Sequence, residues 1–106
     1  MTRRRIHLIG ICGTGMGSLA GLLVEAGHEV RGSDENVYPP ISTMLERQGI
    51  HLMSGYRPAN LDWAPDLVVI GNIATRTNPE AEEVVRRAIP FRSFPQAVEE
   101  FFLRDR

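Results

Sequence analysis

Ile6-His7-Leu8-Ile9-Gly10-Ile11-Cys12-Gly13-Thr14-Gly15-Met16-Gly17-Ser18-Leu19-Ala20-Gly21-Leu22-Leu23-Val24 decides how the rest of the chain is read. An apolar run comes first, a glycine-rich turn second and an amphipathic stretch third, which is the order of a strand, a loop and a helix. Met16, Leu19, Ala20, Leu23 and Val24 fall at i, i+3, i+4, i+7 and i+8, one face of a helix over residues 16–24. The loop therefore lies at a helix N-terminus, where backbone N–H groups without intrahelical partners and the helix dipole favour an anion. Such a terminus suits a phosphate.

Outward from this unit the chain alternates. Gly27 stands where a helix ends on a left-handed residue. Residues 29–31 predict a short second strand, closed by the polar turn-formers Gly32-Ser33-Asp34-Glu35-Asn36. Tyr38-Pro39-Pro40 reads as extended. Residues 41–48 then predict a helix with Ile41, Met44 and Leu45 on its buried face, and residues 50–53 a third strand. Residues 54–65 read as a loop packed down by Trp63, and residues 66–70 as a strand buried on both faces. After a polar loop over residues 71–78, Asn78 suits an N-cap and Pro79 a first turn, with Ala81, Val84, Val85 and Ala88 facing the core. Residues 91–93 predict a fifth strand, and residues 95–103 a last helix burying Val98, Phe101 and Phe102. Five strand–helix alternations predict an α/β fold: a Rossmann-like three-layer αβα domain with a five-stranded parallel sheet in the order 3-2-1-4-5. Ligands of such sheets bind beyond the carboxyl ends of the strands.

Composition narrows the function. With 106 residues the chain is one domain, residues 1–106. A net charge of -1 gives no argument for nucleic acid or a membrane surface, and Arg3-Arg4-Arg5 reads as a solvated tail. No apolar run approaches the roughly 20 residues of a membrane span, and the start does not read as a signal peptide. The single cysteine, Cys12, forms no internal disulfide, which suits a cytoplasmic location. All basic side chains apart from the three histidines are arginine. Without a lysine the chain supplies neither a Walker P-loop nor a Schiff base.

Gly10, Cys12 and Gly15 occupy the three glycine places of G-x-G-x-x-G, with Gly13 beside the substituted one. The loop is read either as a phosphate cradle or as a tight turn needing positive φ. Asp34, about 20 residues on, is read either as the acid that bonds a ribose hydroxyl or as a turn aspartate holding its own backbone. Cys12 near a helix N-terminus suggests a tuned thiol, but no second cysteine exists to resolve it. His7, His28 and His51 lack metal-ligand spacing and read as structural. Glu82-Glu83 with Arg86-Arg87 read as pairs on a solvated helix face, and Arg57 and Arg76 as loop arginines within reach of an anion. No nucleophile set or acid–base carboxylate pair stands out, so no catalytic residue and no metal site is assigned.

Gly10-Ile11-Cys12-Gly13-Thr14-Gly15-Met16-Gly17, Gly32-Ser33-Asp34 and Asn78-Pro79-Glu80 resemble the N-terminal domain of the Mur ligases, the bacterial cell-wall amide ligases. The likeness runs over about residues 6–102. Asn36-Val37-Tyr38-Pro39-Pro40-Ile41-Ser42-Thr43 and Gly71-Asn72 are similar to the branch that attaches a whole tripeptide. The alanine-adding branch carries glycine where Cys12 stands. The resemblance implies UDP-N-acetylmuramate as small-molecule ligand, with Cys12, Gly13, Thr14, Gly15 and Met16 around the diphosphate. Of these, the amides of Gly13, Thr14 and Gly15 are the ones it implies face the diphosphate, with Ser33 and Asp34 near ribose and uracil, Tyr56 near the base, and Gly71, Asn72, Ile73 and Ala74 bordering phosphate and sugar. It also implies that ATP and Mg²⁺ are held by a central domain beyond Arg106, and that this chain alone does no chemistry. Three rivals stay open: the N-terminal domain of the alanine-adding branch, an NAD-binding oxidoreductase domain, for which the chain is too short to hold a second mononucleotide half, and a nucleotide-sensing module that keeps only the fold.

Overall fold

The computed structural model describes residues 3–71 and 78–103. Five parallel strands, β1 (Arg5–Ile9), β2 (Glu29–Asp34), β3 (His51–Ser54), β4 (Leu67–Ile70) and β5 (Phe91–Ser93), form one sheet in the order β3-β2-β1-β4-β5. That is the expected order, and the fold is the Rossmann-like α/β arrangement. Helices α1 (Thr14–Glu25), α2 (Ile41–Arg47), α3 (Pro79–Arg86) and α4 (Phe94–Val98) connect and follow the strands. A 3₁₀ turn, Pro58–Leu61, breaks the expected loop before β4, and a π-helical turn, Glu99–Leu103, continues α4.

Alternation along β1 assigns the two faces. Ile6 and Leu8 pack with Met16, Leu19 and Leu23 of α1, Leu45 of α2 and Ala97 of α4. Ile9 points the other way, to Leu61, Val68 and Val84 of α3. His7 shares that second face and is fully buried against Glu80. Register brings the strand ends level: Ile9 lies opposite Ser33 and Ile70, Ser33 opposite Met53, and Ile70 opposite Ser93. The segments after all five strands therefore start at one edge of the sheet.

Several local expectations are corrected. β2 runs on through Gly32, Ser33 and Asp34 instead of turning at Arg31, because each of the three has a partner that a strand position supplies (below). On α2, Leu45 and Ser42 are buried while Ile41 and Met44 face outward. On α3 the inner face carries Glu80, Glu83 and Val84, whereas Val85 is 63% exposed and Ala88 is exposed. Periodicity counted on apolar residues alone turns that helix wrongly, since it gives no weight to an inward glutamate. Arg4 and Arg5 are not a loose tail. Arg5 starts β1, with its amide donating to Asp66 and its guanidinium to the Trp63 carbonyl. Arg4 pairs with Glu100 at 3.5 Å and lies over the Phe101 ring.

Candidate functional site

The glycine loop is fixed from β2. The Ser33 carbonyl accepts the amides of Gly10 (2.8 Å) and Ile11 (3.1 Å). One oxygen of Asp34 accepts the Cys12 amide at 3.0 Å and the other the Asn36 amide at 2.9 Å. Asp34 is thus buried and clamps both the loop and its own turn. Gly10 has φ 86°, a conformation that favours glycine. Gly13 is the N-cap of α1, but its amide turns back on the Gly10 carbonyl at 3.1 Å and does not point out of the loop. The next amide to find a helical partner is Gly17, on Gly13. No side chain caps the helix. The N–H groups of Thr14, Gly15 and Met16 are therefore the ones offered at this terminus.

Three cavities share Gly13: one, of about 670 Å³, runs between α1 and α2, and the other two flank the loop. Of the flanking pair, one, of about 270 Å³, is walled by Gly10, Thr14, Gly15, Met16, Gly71 and Phe94. Gly71 lets β4 end close to β1, since a Cβ there meets the Ile9 carbonyl and Met16 Cγ at 3.2 Å. Gly15 is roofed by the Phe94 ring, whose nearest atom is 2.9 Å from where a Cβ stands. The other cavity, of about 230 Å³, lies among Cys12, Asp34, Asn36, Tyr38, Pro39 and Pro40. Pro40, with φ -84° and ψ -17°, is the N-cap of α2, so the segment expected to be extended turns into the helix there.

The structure thus gathers Cys12, Gly13, Thr14, Gly15, Met16, Asp34 and Gly71 around one loop. Ser33 serves it by its carbonyl, while its hydroxyl points to the opposite face. Tyr56 is set apart: its ring packs against the cluster of Ile9, Leu61, Val68 and Val84, and it walls neither cavity. Its buried hydroxyl has no hydrogen-bond partner among the described residues, and burial together with Asp34 and Glu35 pushes it up to about 12. Asn72, Ile73, Ala74 and Arg76 lie outside the described residues. Burial and then the Asp34 carboxylate push the Cys12 thiol up to about 11, opposite in direction to a thiol activated at a helix terminus.

Two residues that shape the site were given no role at it by the sequence reading. Phe94 directly follows β5, and only the level strand ends bring that segment to the loop. Glu80 is fully buried under β1 and β2. One carboxylate oxygen accepts His7 Nε2 (2.6 Å) and Ser33 Oγ (2.7 Å), the other Asn60 Nδ2 (2.6 Å) and the Arg57 amide (3.1 Å). Trp63 Nε1 donates to His7 Nδ1 at 3.1 Å, so the imidazole carries its proton on Nε2 and donates to Glu80. Burial raises the Glu80 carboxyl, but the hydrogen bonds from His7, Ser33 and Asn60 outweigh it and hold the group below its ordinary value. The readable signal was an acid at i−4 from Val84 on a helix face otherwise turned inward.

A parallel sheet in this order with a glycine-rich loop at an uncapped helix start defines a Rossmann-like α/β domain with its ligand edge at the strand termini. Residues 5–106 match the family described as "Mur ligase family, catalytic domain". The chain is 58% identical over 102 residues to the UDP-N-acetylmuramate--L-alanyl-gamma-D-glutamyl-meso-2,6-diaminoheptandioate ligase of Escherichia coli (strain K12), covering 96% of this chain and 22% of that protein. It is 37% identical to the UDP-N-acetylmuramate--L-alanine ligase of Lactobacillus helveticus, covering 92% of this chain and 22% of that protein. The crystal structure of a murein peptide ligase from Psychrobacter arcticus 273-4 superposes with a TM-score of 0.91 at 47% identity, over 97% of this chain and 22% of that one. The chain belongs to the Mur ligase family. It spans about a fifth of the length of these relatives.

Proposed function

We propose that this chain is the N-terminal, UDP-N-acetylmuramate-binding domain of an ATP-dependent amide-bond ligase. The whole enzyme attaches L-Ala-γ-D-Glu-meso-diaminopimelate tripeptide during cytoplasmic recycling of peptidoglycan. The observation that carries the reading is the uncapped start of α1, whose first-turn residues Thr14, Gly15 and Met16 line a cavity together with Gly71 and Phe94. A diphosphate there needs aligned N–H groups and no lysine. The second cavity, beside Cys12 and Asp34, takes the uridine in this reading. The tripeptide assignment draws on the higher identity to the diaminoheptandioate ligase than to the L-alanine ligase.

The residues present do not fit an ATP site. The chain has no lysine, and among the described residues no group of three His, Cys, Asp or Glu side chains could hold a metal ion. ATP and Mg²⁺ are accordingly assigned to the rest of the enzyme, and this domain alone binds without catalysing. Among the described residues no helix is long and apolar enough to cross a membrane.

A thermal-shift experiment with UDP-N-acetylmuramate, UDP and NAD in parallel tests the reading. At 100 Kd a ligand adds about 2.7 kcal/mol, which raises the midpoint of a domain this size by roughly 10 °C or more. The expected result is a shift with the muramate, a smaller one with UDP and none with NAD. A shift with NAD and none with the muramate overturns it.

A further inference from the structure

We propose that Glu80 is a positioning residue for the anion site: acting through Ser33, it holds the glycine loop in the geometry that presents the first-turn amides of α1. The proposal rests on the reading that these amides receive the diphosphate. Glu80 touches neither cavity, so any effect on binding must travel through other groups.

The route is short and made of hydrogen bonds. Glu80 accepts Ser33 Oγ at 2.7 Å, and the same Ser33 presents its carbonyl to the amides of Gly10 and Ile11 at 2.8 and 3.1 Å. Gly10 in turn accepts the Gly13 amide, the residue that caps α1. From α3 to the start of α1 there are three links. The remaining acceptor sites of Glu80 gather other parts of the same edge. His7 comes from β1, and Arg57 and Asn60 come from the connection between β3 and β4. Four donors fill the lone-pair sites of the carboxylate. An apolar side chain of equal volume would fill the space without fixing the end of β2, because only an acceptor orients the serine hydroxyl.

The test uses this chain with Glu80→Gln, Ser33→Ala and the double variant. It reads amide hydrogen exchange residue by residue, and titrates UDP-N-acetylmuramate by calorimetry. Glutamine keeps the shape but turns two donors towards Ser33 and His7, or towards Asn60 and Arg57. Alanine at 33 keeps the carbonyl and removes only the hydroxyl. The expected result is exchange roughly tenfold faster at Gly10 and Ile11, with Leu19 and Val69 unchanged, and a Kd raised roughly tenfold in each variant. The double variant is then no worse than either single one, and Ser33→Thr, which retains a hydroxyl, restores the wild-type values. Unchanged exchange at Gly10 and Ile11 in folded variants, or uniform acceleration through the whole domain, overturns the proposal. If Glu80→Gln does not fold, Ser33→Ala decides the matter by the same measures. If the wild-type chain binds no UDP-N-acetylmuramate, the substrate reading fails, and the exchange rates at Gly10 and Ile11 still decide whether Glu80 positions the loop.

Discussion

Gly32 sits where a side chain has nowhere to go. A Cβ there would stand 2.5 Å from Ile11 Cδ1 and 2.8 Å from both Ile11 Cβ and the Leu8 carbonyl. The backbone of β2 passes this close so that its next two residues can reach the loop, Ser33 by its carbonyl and Asp34 by its carboxylate. Gly32→Ala therefore destabilises the domain by about 1–3 kcal/mol through overpacking, read as a lower urea midpoint at unchanged slope. A midpoint within error of wild type would show that Ile11 yields freely. The same three residues mark the limit of reading this stretch from sequence. Glycine, serine and aspartate have low strand propensity and the habits of a turn. What keeps them in β2 is tertiary: Ile11 over Gly32, Glu80 on Ser33 and two backbone amides on Asp34. None of these partners lies within seven residues of its mate except Asn36, so local pattern carries no trace of them.

Helix ends were far more legible than helix faces. Gly27 and Gly49 close α1 and α2 with positive φ, and each end shows the paired bonds of a Schellman motif: Gly27 to Val24 with His28 to Leu23, and Gly49 to Glu46 with Ile50 to Leu45. Asn78 caps α3 by accepting the Glu80 and Ala81 amides, as its position before Pro79 predicts. α3 ends on the same motif, Ala88 to Val85 and Ile89 to Val84, but with alanine at φ 57°. An L side chain pays for that conformation with about 1 kcal/mol. Ala88→Gly is expected to stabilise the domain by roughly 0.5–1 kcal/mol, a rise of a few degrees in Tm. An unchanged or lowered Tm would mean that glycine's entropy in the unfolded chain cancels the relief. The faces of α2 and α3 were misread because exposed apolar residues such as Met44 and Val85 are ordinary, whereas a buried acid is rare and a count of apolar residues gives it no weight.

At the scale of the molecule, strand order and strand–helix alternation followed from the sequence because chirality and connection rules leave few topologies. The site was legible where it depended on the loop itself and illegible where it depended on register, which brings in Phe94 and Glu80. Long-range polar contacts also tie the chain's outer parts together and set its response to acid. His28 accepts the Arg4 amide at 3.0 Å, and burial, then the Arg4 charge, holds its pKa below 6.5. The unfolded chain binds that proton more readily, so stability falls as pH drops through 6.5. Glu80 is held below 4.5 by its donors, so its contribution is present above 4.5 and is lost as pH falls further. Urea midpoints are therefore expected to decline between pH 7.5 and 5.5 and again below 4.5. A midpoint flat over the first interval would contradict the His28 part, and one flat over the second the Glu80 part.

The claim on which the functional account stands is that a diphosphate meets the opening turn of α1. A crystal of this chain soaked in UDP-N-acetylmuramate tests it directly. The account predicts diphosphate oxygens within hydrogen-bond distance of the Thr14, Gly15 and Met16 amides, with the uridine beside Cys12 and Asp34. Ligand density bound elsewhere on the domain, with no contact to those three amides, would contradict it.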